Sequence, residues 1–446
     1  PPENVARTAR GRDNIGLSSY QTLRSDRRYV DNSSDFGSSS EDSNMVIETF
    51  RFGIFLEHLN CNCLKITSLP QRCRYTTQVL SFYDDKITKY AEQSIRPVTL
   101  KQLIQFGQPP LSISTLLESA RYTKLELPVR LARRIKALQK LPFIVGTNPY
   151  IKRIYQLYLD SFELICDFPE ITEEKTDAKF ADMLAQIVAS HSENIPTLAK
   201  GFQECKIYMP AQDIKNFLDD MINSRIGIRL IAEQHIALHN ARDPNFIGII
   251  DTHTSPAKLI QSCTNWVQEL CEGHYGSSPE IIIDGQTDTT FAYVPVHLEY
   301  IISEVLKNSY RATVEYSSKI KRNNHPQIVA TISKGENNIG IRIRDQGGGV
   351  APEDLPSIFD YSFTTVPQDE DSHTAEMDNI LSNVSRRAMQ TGLGGPIAGL
   401  GYGLPLTRLY AKFFGGSLNL ISLHSYGCDL FLRLNDISKS LDNLRI

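Results

Sequence analysis

The sequence contains few of the features that mark specialised classes of protein. Its 446 residues include a single tryptophan and eight cysteines, which form no CxxC pair and have no histidine at zinc-finger spacing. A disulfide scaffold and a zinc finger are therefore excluded, and buried reduced thiols are expected. Lys and Arg total 47 against 51 Asp and Glu, so no net positive charge attracts nucleic acid. We expect no nucleic-acid partner.

Long apolar runs are also missing. The longest uncharged stretch, Met389 to Thr407, contains six glycines and two prolines, which a membrane-spanning helix does not accommodate. With 41% hydrophobic and 22% charged residues, the composition is that of a folded soluble protein of two or three domains. The sequence therefore predicts no membrane span.

Three regions follow one another along the chain. Residues 1–80 are polar, and their arginine-bearing opening leaves a presequence remnant as one option. Residues 81–250 have apolar residues at helical spacing and short breaks, which predict a four-helix bundle. Its helices are expected at Leu125–Leu141, Asn148–Cys166, Asp177–Cys205 and Gln212–His239. A helical scaffold without chemistry of its own is the alternative.

Residues 251–446 form the third region, in which helices alternate with strands. Helices are expected at Ala257–Glu272, Pro295–Tyr316 and Leu404–Phe414. Strands are expected at Ile281–Ile283, Ile328–Ser333, Ile339–Arg344, Leu418–Leu423 and Asp429–Leu434. This order predicts an α/β sandwich with helices on one face of a mixed sheet.

The predicted helix Pro295–Tyr316 has two stripes of side chains. One is apolar, and the other consists of Tyr300, Glu304, Asn308 and Arg311. A carboxylate, a carboxamide one turn later and a guanidinium can hold a general base, a metal ligand and a phosphate contact in a fixed relation. A solvated helix face is the alternative.

A carboxylate follows the predicted strand Ile339–Arg344. Strict alternation places Asp345 on the same side as Ile341 and Ile343, which is the side of the core. A carboxylate that points inward needs a polar partner, so Asp345 is a candidate ligand contact. An aspartate that only starts a turn is the alternative.

Glycines precede the last predicted helix. Gly399, Gly401 and Gly403 stand directly before Leu404, where backbone N–H groups and the positive end of a helix dipole can bind phosphates. No GK[ST] follows, so this is not a Walker loop. The polar segment Val366–Ala398 is interpreted either as a lid over a nucleotide or as a disordered insertion.

The order of these motifs resembles the GHKL superfamily of gyrase, Hsp90, histidine kinases and MutL. ExxxN on a helix, DxGGG after a strand, FTT, and GxGxG before a helix follow one another in this order. Longer strings resemble the mitochondrial protein kinases of 2-oxo acid dehydrogenase complexes: ELPVRLARRIKALQKLPFIVGTNP, SRIGIRLIAEQHIALH, LKNSYRAT, RDQGGGVAPEDL, DYSFTT and GLGYGLPLTRLYAKFFGGSL. The resemblance covers about residues 82–446.

The resemblance implies a serine kinase that uses Mg-ATP to inactivate the decarboxylase subunit of such a complex. Its fold would be a helical bundle followed by a GHKL-type (Bergerat) ATP-binding domain. Glu304 would orient or deprotonate the substrate serine, Asn308 would hold magnesium, and Asp345 would accept from the adenine amino group. The other implied ATP contacts are Arg311, Thr364, Thr365, Gly399, Leu400, Gly401, Tyr402, Gly403 and Leu404. Some members also hold potassium, at positions that match Ile358, Asp360, Phe363 and Gly401.

The resemblance also implies regulation and partners. His191, Arg225 and Arg229 match the family's histidine segment and its basic pocket for small 2-oxo acid effectors. The helical region would bind the lipoyl domain of the acyltransferase core, and the chain would form a homodimer in the mitochondrial matrix.

Two residues depart from the family pattern. Animal pyruvate dehydrogenase kinases have a histidine at the position of Tyr300, whereas the branched-chain enzymes have a tyrosine there, as this chain does. Cys428 stands where the family has a threonine. Pyruvate and branched-chain dehydrogenases both stay open as substrates. The alternative function is a non-kinase GHKL protein in which ATP drives a conformational or scaffolding change.

Overall fold

The computed structural model describes residues 84–97, 99–108, 111–239, 244–363 and 401–439. The N-terminal segment 1–80 and the predicted lid Val366–Ala398 lie outside these residues. No helix in the described part of the chain has both the length and the apolar composition needed to cross a membrane.

The first half of the described chain is helical. Its main helices are α1 (Leu100–Gly107), α2 (Ile113–Gln139), α3 (Pro149–Asp167), α4 (Glu174–Ser190), α5 (Asn194–Cys205) and α6 (Ala211–Leu238). Helix α2 packs on α3 and α6, and α4 packs on α6, so four long helices share one core. The predicted bundle is confirmed.

Two of the predicted helix bounds were wrong. Helix α2 begins at Ile113, twelve residues before the predicted start, because Ser112 caps it and Pro128 is accommodated inside the helix. The predicted helix Asp177–Cys205 is two helices, since the chain turns at His191. The side chain of Asn194 contacts His191 Nδ1 at 2.8 Å and holds this turn.

The second half contains two sheets. A small antiparallel sheet, which the sequence did not predict, has the order β1 (Phe246–Ile247), β2 (Ile250–Thr254), β4 (Phe291–Tyr293). The strands of the main sheet are β3 (Ile281–Gly285), β5 (Ile328–Lys334), β6 (Asn338–Arg344), β7 (Ser417–Leu423) and β8 (Gly427–Asn435). They lie in the order β3-β5-β6-β8-β7, in which only the β3–β5 pair is parallel.

The second half has three main helices, α7 (Pro256–Tyr275), α8 (Pro295–Lys319) and α9 (Gly403–Phe413). Helix α8 packs on both α7 and α9, and all three helices contact the main sheet. The apolar stripe of α8 is buried against the inward residues of β6. Burying each such aliphatic side chain stabilises the fold by about 1.5–3 kcal/mol. The predicted α/β sandwich with helices on one face of a mixed sheet is confirmed. Helix α9 also touches α6, so it joins the helical half to the sheet half.

Candidate active site

Glu304 lies on α8 and is mostly covered, with 17% of its side chain exposed. Lys307, one turn further along the helix, donates to Glu304 Oε1 and places its ammonium 5.9 Å above the ring centroid of Trp266. The cation therefore contacts both the indole ring and the carboxylate, and it pairs with Glu304. A partly covered carboxylate that is held in one orientation is a suitable proton acceptor.

The other oxygen of Glu304 faces the start of α9. A methyl group on Gly403 would lie 2.6 Å from Glu304 Oε2, so a larger residue at this position would displace the carboxylate. Gly403 is the first residue of α9, and the positive end of a helix dipole attracts a carboxylate. The structure thus brings the predicted base beside the predicted phosphate-binding helix start.

Asp345 is 6% exposed and is held by three donors. Its Oδ1 accepts from the backbone N–H groups of Gly347 at 2.9 Å and Cys428 at 3.1 Å. Its Oδ2 accepts from the Ser309 hydroxyl at 3.2 Å. Burial raises the pKa of Asp345 even though these donors oppose the shift. Three donors fix the orientation of this carboxylate, which an aspartate that only starts a turn does not need. Its Oδ2 keeps a lone pair that can accept from a ligand.

The remaining members of the polar stripe differ in exposure. Tyr300 is buried and Asn308 is exposed, so the stripe is not a uniformly solvated face. Arg311 is bound by Glu315 on its own helix, at 2.7 Å from Nε to Oε1. Burial, followed by the charge of Glu304, raises the pKa of Tyr300 well above its ordinary value, so this phenol stays neutral.

Residues 358–363 pass beside the start of α9. A methyl group on Gly401 would lie 2.3 Å from the carbonyl oxygen of Phe363, and Gly401 has a φ of +71°. Of the predicted potassium positions, Phe363 and Gly401 are therefore in contact. Ile358 is buried in the same segment, and the Asp360 carboxylate is bound by Lys215 of α6.

The same segment is attached to the helical half by a second contact. Tyr361 donates to Asp219 Oδ1 on α6 at 2.6 Å, and its ring lies 5.1 Å from that of the buried Tyr402. The start of α9 is thus positioned by residues from both halves of the chain.

The three residues predicted to form the effector pocket do come together. Arg225 Nη2 donates to the carbonyl oxygen of His191 at 3.1 Å, while its Nε and Nη1 have no hydrogen-bond partner among the described residues. Arg229 is bound by Glu233, yet its Nη1 is buried without a partner in the described part of the chain. Both guanidinium groups are mostly buried, so neither arginine faces the solvent.

A small cavity of about 30 Å³ lies between these side chains. Its wall is aliphatic apart from Tyr158, His191, Arg225 and Arg229, and it is formed by residues of α2, α3, α4 and α6 and by His191, which follows α4. Burial, and then the two arginines, lowers the pKa of His191 to about 4, so the imidazole is neutral at physiological pH. The cavity therefore presents two cations and no counter-charge of its own beyond Glu233.

Tyr410 connects this cavity to Glu304. The Arg225 guanidinium is near enough to oppose the rise that burial causes in the pKa of Tyr410, and the Tyr410 ring lies 5.1 Å from the ring of Tyr300. Tyr300 lies one helical turn before Glu304 on α8. A continuous row of packed side chains thus runs from the candidate effector pocket to the candidate base.

Comparison with known proteins identifies the family. The sequence model of the mitochondrial branched-chain alpha-ketoacid dehydrogenase kinase family matches residues 97–251. The sequence model of the histidine kinase-, DNA gyrase B- and HSP90-like ATPase family matches residues 293–436. The mitochondrial pyruvate dehydrogenase (acetyl-transferring) kinase of Arabidopsis thaliana is 35% identical over 78% of this chain and 92% of its own length. This chain belongs to the mitochondrial 2-oxo acid dehydrogenase kinase family.

More distant similarity agrees with this membership. Isozyme 4 of the mouse mitochondrial pyruvate dehydrogenase kinases is 31% identical to this kinase, over 86% of the chain and 92% of its own length. The mycobacterial sensor histidine kinase MprB, at 14% identity and a TM-score of 0.28, covers 41% of the kinase and 97% of its own chain, and it is too distant to carry an argument. The protein is an ATP-binding protein kinase with a GHKL domain.

Several residues of the predicted site lie outside the described residues of the kinase: Thr364, Thr365, Gly399 and Leu400. Gly401, Tyr402, Gly403 and Leu404 are described, and they form the start of α9 or directly precede it.

Sequence reasoning missed three residues that position the site. Lys307 could have been found by its i, i+3 spacing from Glu304. Ser309 is a polar residue on the otherwise apolar stripe of α8, which is the sign of a buried hydrogen bond. Cys428 acts through its backbone N–H, so its side-chain identity gave no indication.

Proposed function

We propose that this kinase phosphorylates a serine of the decarboxylase subunit of a mitochondrial 2-oxo acid dehydrogenase complex. The observation that carries the proposal is the pairing of Glu304 with the start of α9, in a chain that is about one third identical to pyruvate dehydrogenase kinases over nearly their whole length. A carboxylate base beside a phosphate-binding helix start is the arrangement that transfer from ATP to a hydroxyl requires.

In the proposed mechanism, Asp345 accepts from the adenine amino group and the N–H groups at the start of α9 contact the phosphates. Glu304 orients the substrate hydroxyl and accepts its proton as the oxygen attacks the terminal phosphorus. Lys307 holds that carboxylate in position by donating to its Oε1. The protein supplies positioning and electrostatic stabilisation, with little covalent chemistry.

Magnesium is expected at Asn308, where it would neutralise charge on the triphosphate. The side chain of Asn308 is exposed on the α8 turn that follows Glu304, so its carboxamide is accessible to a hydrated cation. Potassium fits less directly, because the Asp360 carboxylate is already bound by Lys215 and only backbone oxygens such as that of Phe363 are offered.

The proposed activity is tested by transfer of labelled phosphate from ATP to purified pyruvate and branched-chain dehydrogenase complexes, assayed side by side. We expect acid-stable label on the decarboxylase subunit of at least one complex. Label on neither complex, together with normal ATP binding, would refute the proposal and favour an ATP-gated scaffold.

We also propose that the helical half binds a lipoyl domain of the acyltransferase core, with the kinase acting as a homodimer in the mitochondrial matrix. Exposed apolar side chains support a docking role: Phe143 is 74% and Ile207 is 74% exposed. The helical turn Phe143–Gly146 packs on α5, and Ile207 follows the end of α5. Docking would raise the local concentration of kinase at its substrate.

The cavity at Arg225 and Arg229 is proposed to bind a small 2-oxo acid that inhibits the kinase. Buried guanidinium nitrogens without acceptors are costly, and a small carboxylate would satisfy them while its apolar end contacts the aliphatic wall. Tyr410 and Tyr300 would carry the effect to Glu304.

Arg229→Ala is expected to weaken inhibition by pyruvate or a branched-chain oxo acid by about tenfold or more, since one charge-assisted hydrogen bond is worth about 1.5–3 kcal/mol. Inhibition curves of parent and variant measure the effect. Arg153→Ala is the matched control, because Arg153 is 68% exposed and lies outside the cavity. Equal inhibition of all three proteins would exclude this pocket.

A further inference from the structure

A buried cluster of one carboxylate and two imidazoles lies between α4 and α6, in contact with none of the active-site residues. Asp177 stands in the first turn of α4, His235 in the last turn of α6, and His239 directly after that helix. Asp177 and His235 are completely buried, while His239 is 20% exposed. Nothing in the proposed kinase mechanism uses these residues.

The side-chain atoms converge on one point. Asp177 Oδ1 lies 3.2 Å from His235 Nε2, and Asp177 Oδ2 lies 3.2 Å from His239 Nε2. One ligand atom from each residue falls within 4.8 Å of the others. Histidines at i and i+4 lie on one face of a helix, so both imidazoles reach the same carboxylate.

Neither contact is aligned as a hydrogen bond, although each pair of atoms is close enough for an ion pair. Both oxygens of Asp177 and both Nε2 atoms are buried without a hydrogen-bond partner in the described part of the chain. A buried carboxylate in that condition is costly, and an N–H donor would have to point along the line between nitrogen and oxygen to relieve it. A cation placed off that line satisfies all of the atoms at once.

The spacing fits a metal ion of zinc size. Bonds of about 2.0–2.2 Å in tetrahedral geometry separate neighbouring ligand atoms by roughly 3.3–3.6 Å. The two measured separations of 3.2 Å are close to this range. Two imidazoles and one carboxylate form a donor set typical of zinc and of similar first-row metals.

The surroundings also suit a metal site. Ser119 Oγ lies 3.1 Å from His235 Nδ1, so it can accept that N–H and leave the Nε2 lone pair directed at the cluster. Phe180 lies against the His235 ring at 5.7 Å and makes one wall apolar. His239 is partly exposed, so the cluster lies close to the surface, from which an ion could enter.

We propose that Asp177, His235 and His239 bind one divalent transition-metal ion of the zinc type. The ion stabilises the contact between α4 and α6. These are also two of the helices that line the effector cavity, α4 through His191 at its end and α6 through Arg225 and Arg229.

Titration of the full-length, untagged and chelator-treated kinase with Co²⁺ or Zn²⁺ tests the proposal. We expect one ion per chain, visible d–d absorption from bound Co²⁺, and a rise in Tm of roughly 5 °C at saturating Zn²⁺. Because these readouts are made on the parent protein, they do not depend on how a variant folds. No stoichiometric binding and no rise in Tm would overturn the proposal.

His239→Ala is expected to lower Zn²⁺ affinity by about 100-fold or more, since one of three protein ligands is lost. His253→Ala is the matched control, because His253 is an exposed histidine in β2. Normal ATP binding by the His239 variant would establish that it is folded. Unchanged Zn²⁺ affinity in that variant would overturn the site, since binding would then depend on other residues.

Discussion

Glu304→Gln is expected to lower the rate of phosphoryl transfer by about 100-fold or more while ATP binding is retained. A neutral amide has the shape of the carboxylate and still accepts from Lys307, but it does not accept the proton of the substrate hydroxyl. Single-turnover transfer to the purified dehydrogenase complex measures the rate, and calorimetry measures the affinity for Mg-ATP.

Glu299→Gln is the matched control for this substitution. Glu299 is an exposed glutamate on the same helix, so its neutralisation changes the charge of α8 equally without touching the site. Near-normal turnover in the Glu304 variant would show that another group accepts the proton. A loss of turnover in both variants would instead indicate an effect of net charge.

Asp345→Asn is expected to weaken ATP binding by about 10- to 100-fold, which corresponds to the 1.5–3 kcal/mol of a charge-assisted hydrogen bond. The amide oxygen can keep both backbone donors, from Gly347 and Cys428, and the amide nitrogen can donate to the Ser309 hydroxyl. What is lost is the acceptor for the adenine amino group. The same amide can donate to the guanine carbonyl oxygen, so the preference for ATP over GTP should fall further.

The stability of the Asp345 variant separates this loss from unfolding. Burial raises the pKa of Asp345 in the folded state, so the folded protein binds this proton more readily than the unfolded chain. The free energy of unfolding therefore decreases as the pH rises from the ordinary value of 3.8 to the raised one, and the ionised group destabilises the fold at neutral pH. Asp345→Asn should remove this penalty, so its Tm should not fall.

Asp284→Asn is the control, because Asp284 is an exposed aspartate near the end of β3. In the main sheet, β5 separates β3 from β6. Tight ATP binding by the Asp345 variant would show that this residue has a structural role and does not bind adenine. A large fall in Tm would show that the carboxylate is needed for the fold, and weak ATP binding would then say nothing about adenine.

Periodicity in the sequence was enough to predict most of the helices and strands. Helix α8 was predicted from Pro295, and its apolar stripe from Leu298 to Leu306 is buried as expected. The predicted bound failed at the start of α2, which begins at Ile113 after its Ser112 cap, twelve residues before the predicted start. The small sheet was missed because strands of two to five residues have too little period to detect.

The candidate site divides in the same way. Alternation along β6 was enough to turn Asp345 inward, and helical spacing was enough to relate Glu304 to Asn308. Two of the three donors that hold Asp345 come from α8 and β8, and no pattern along the chain relates these two elements to the end of β6.

The sequence by itself determined the elements, the ordered motifs and, through them, the family, because these depend on residues that are near one another in the chain. Only the tertiary structure decided which distant residues meet. It placed Gly403 against Glu304, Tyr410 between Arg225 and Tyr300, and Asp177 beside His235 and His239. The physical reason is that such contacts follow from how helices and sheet pack around a shared core, and packing depends on shape and volume over the whole chain.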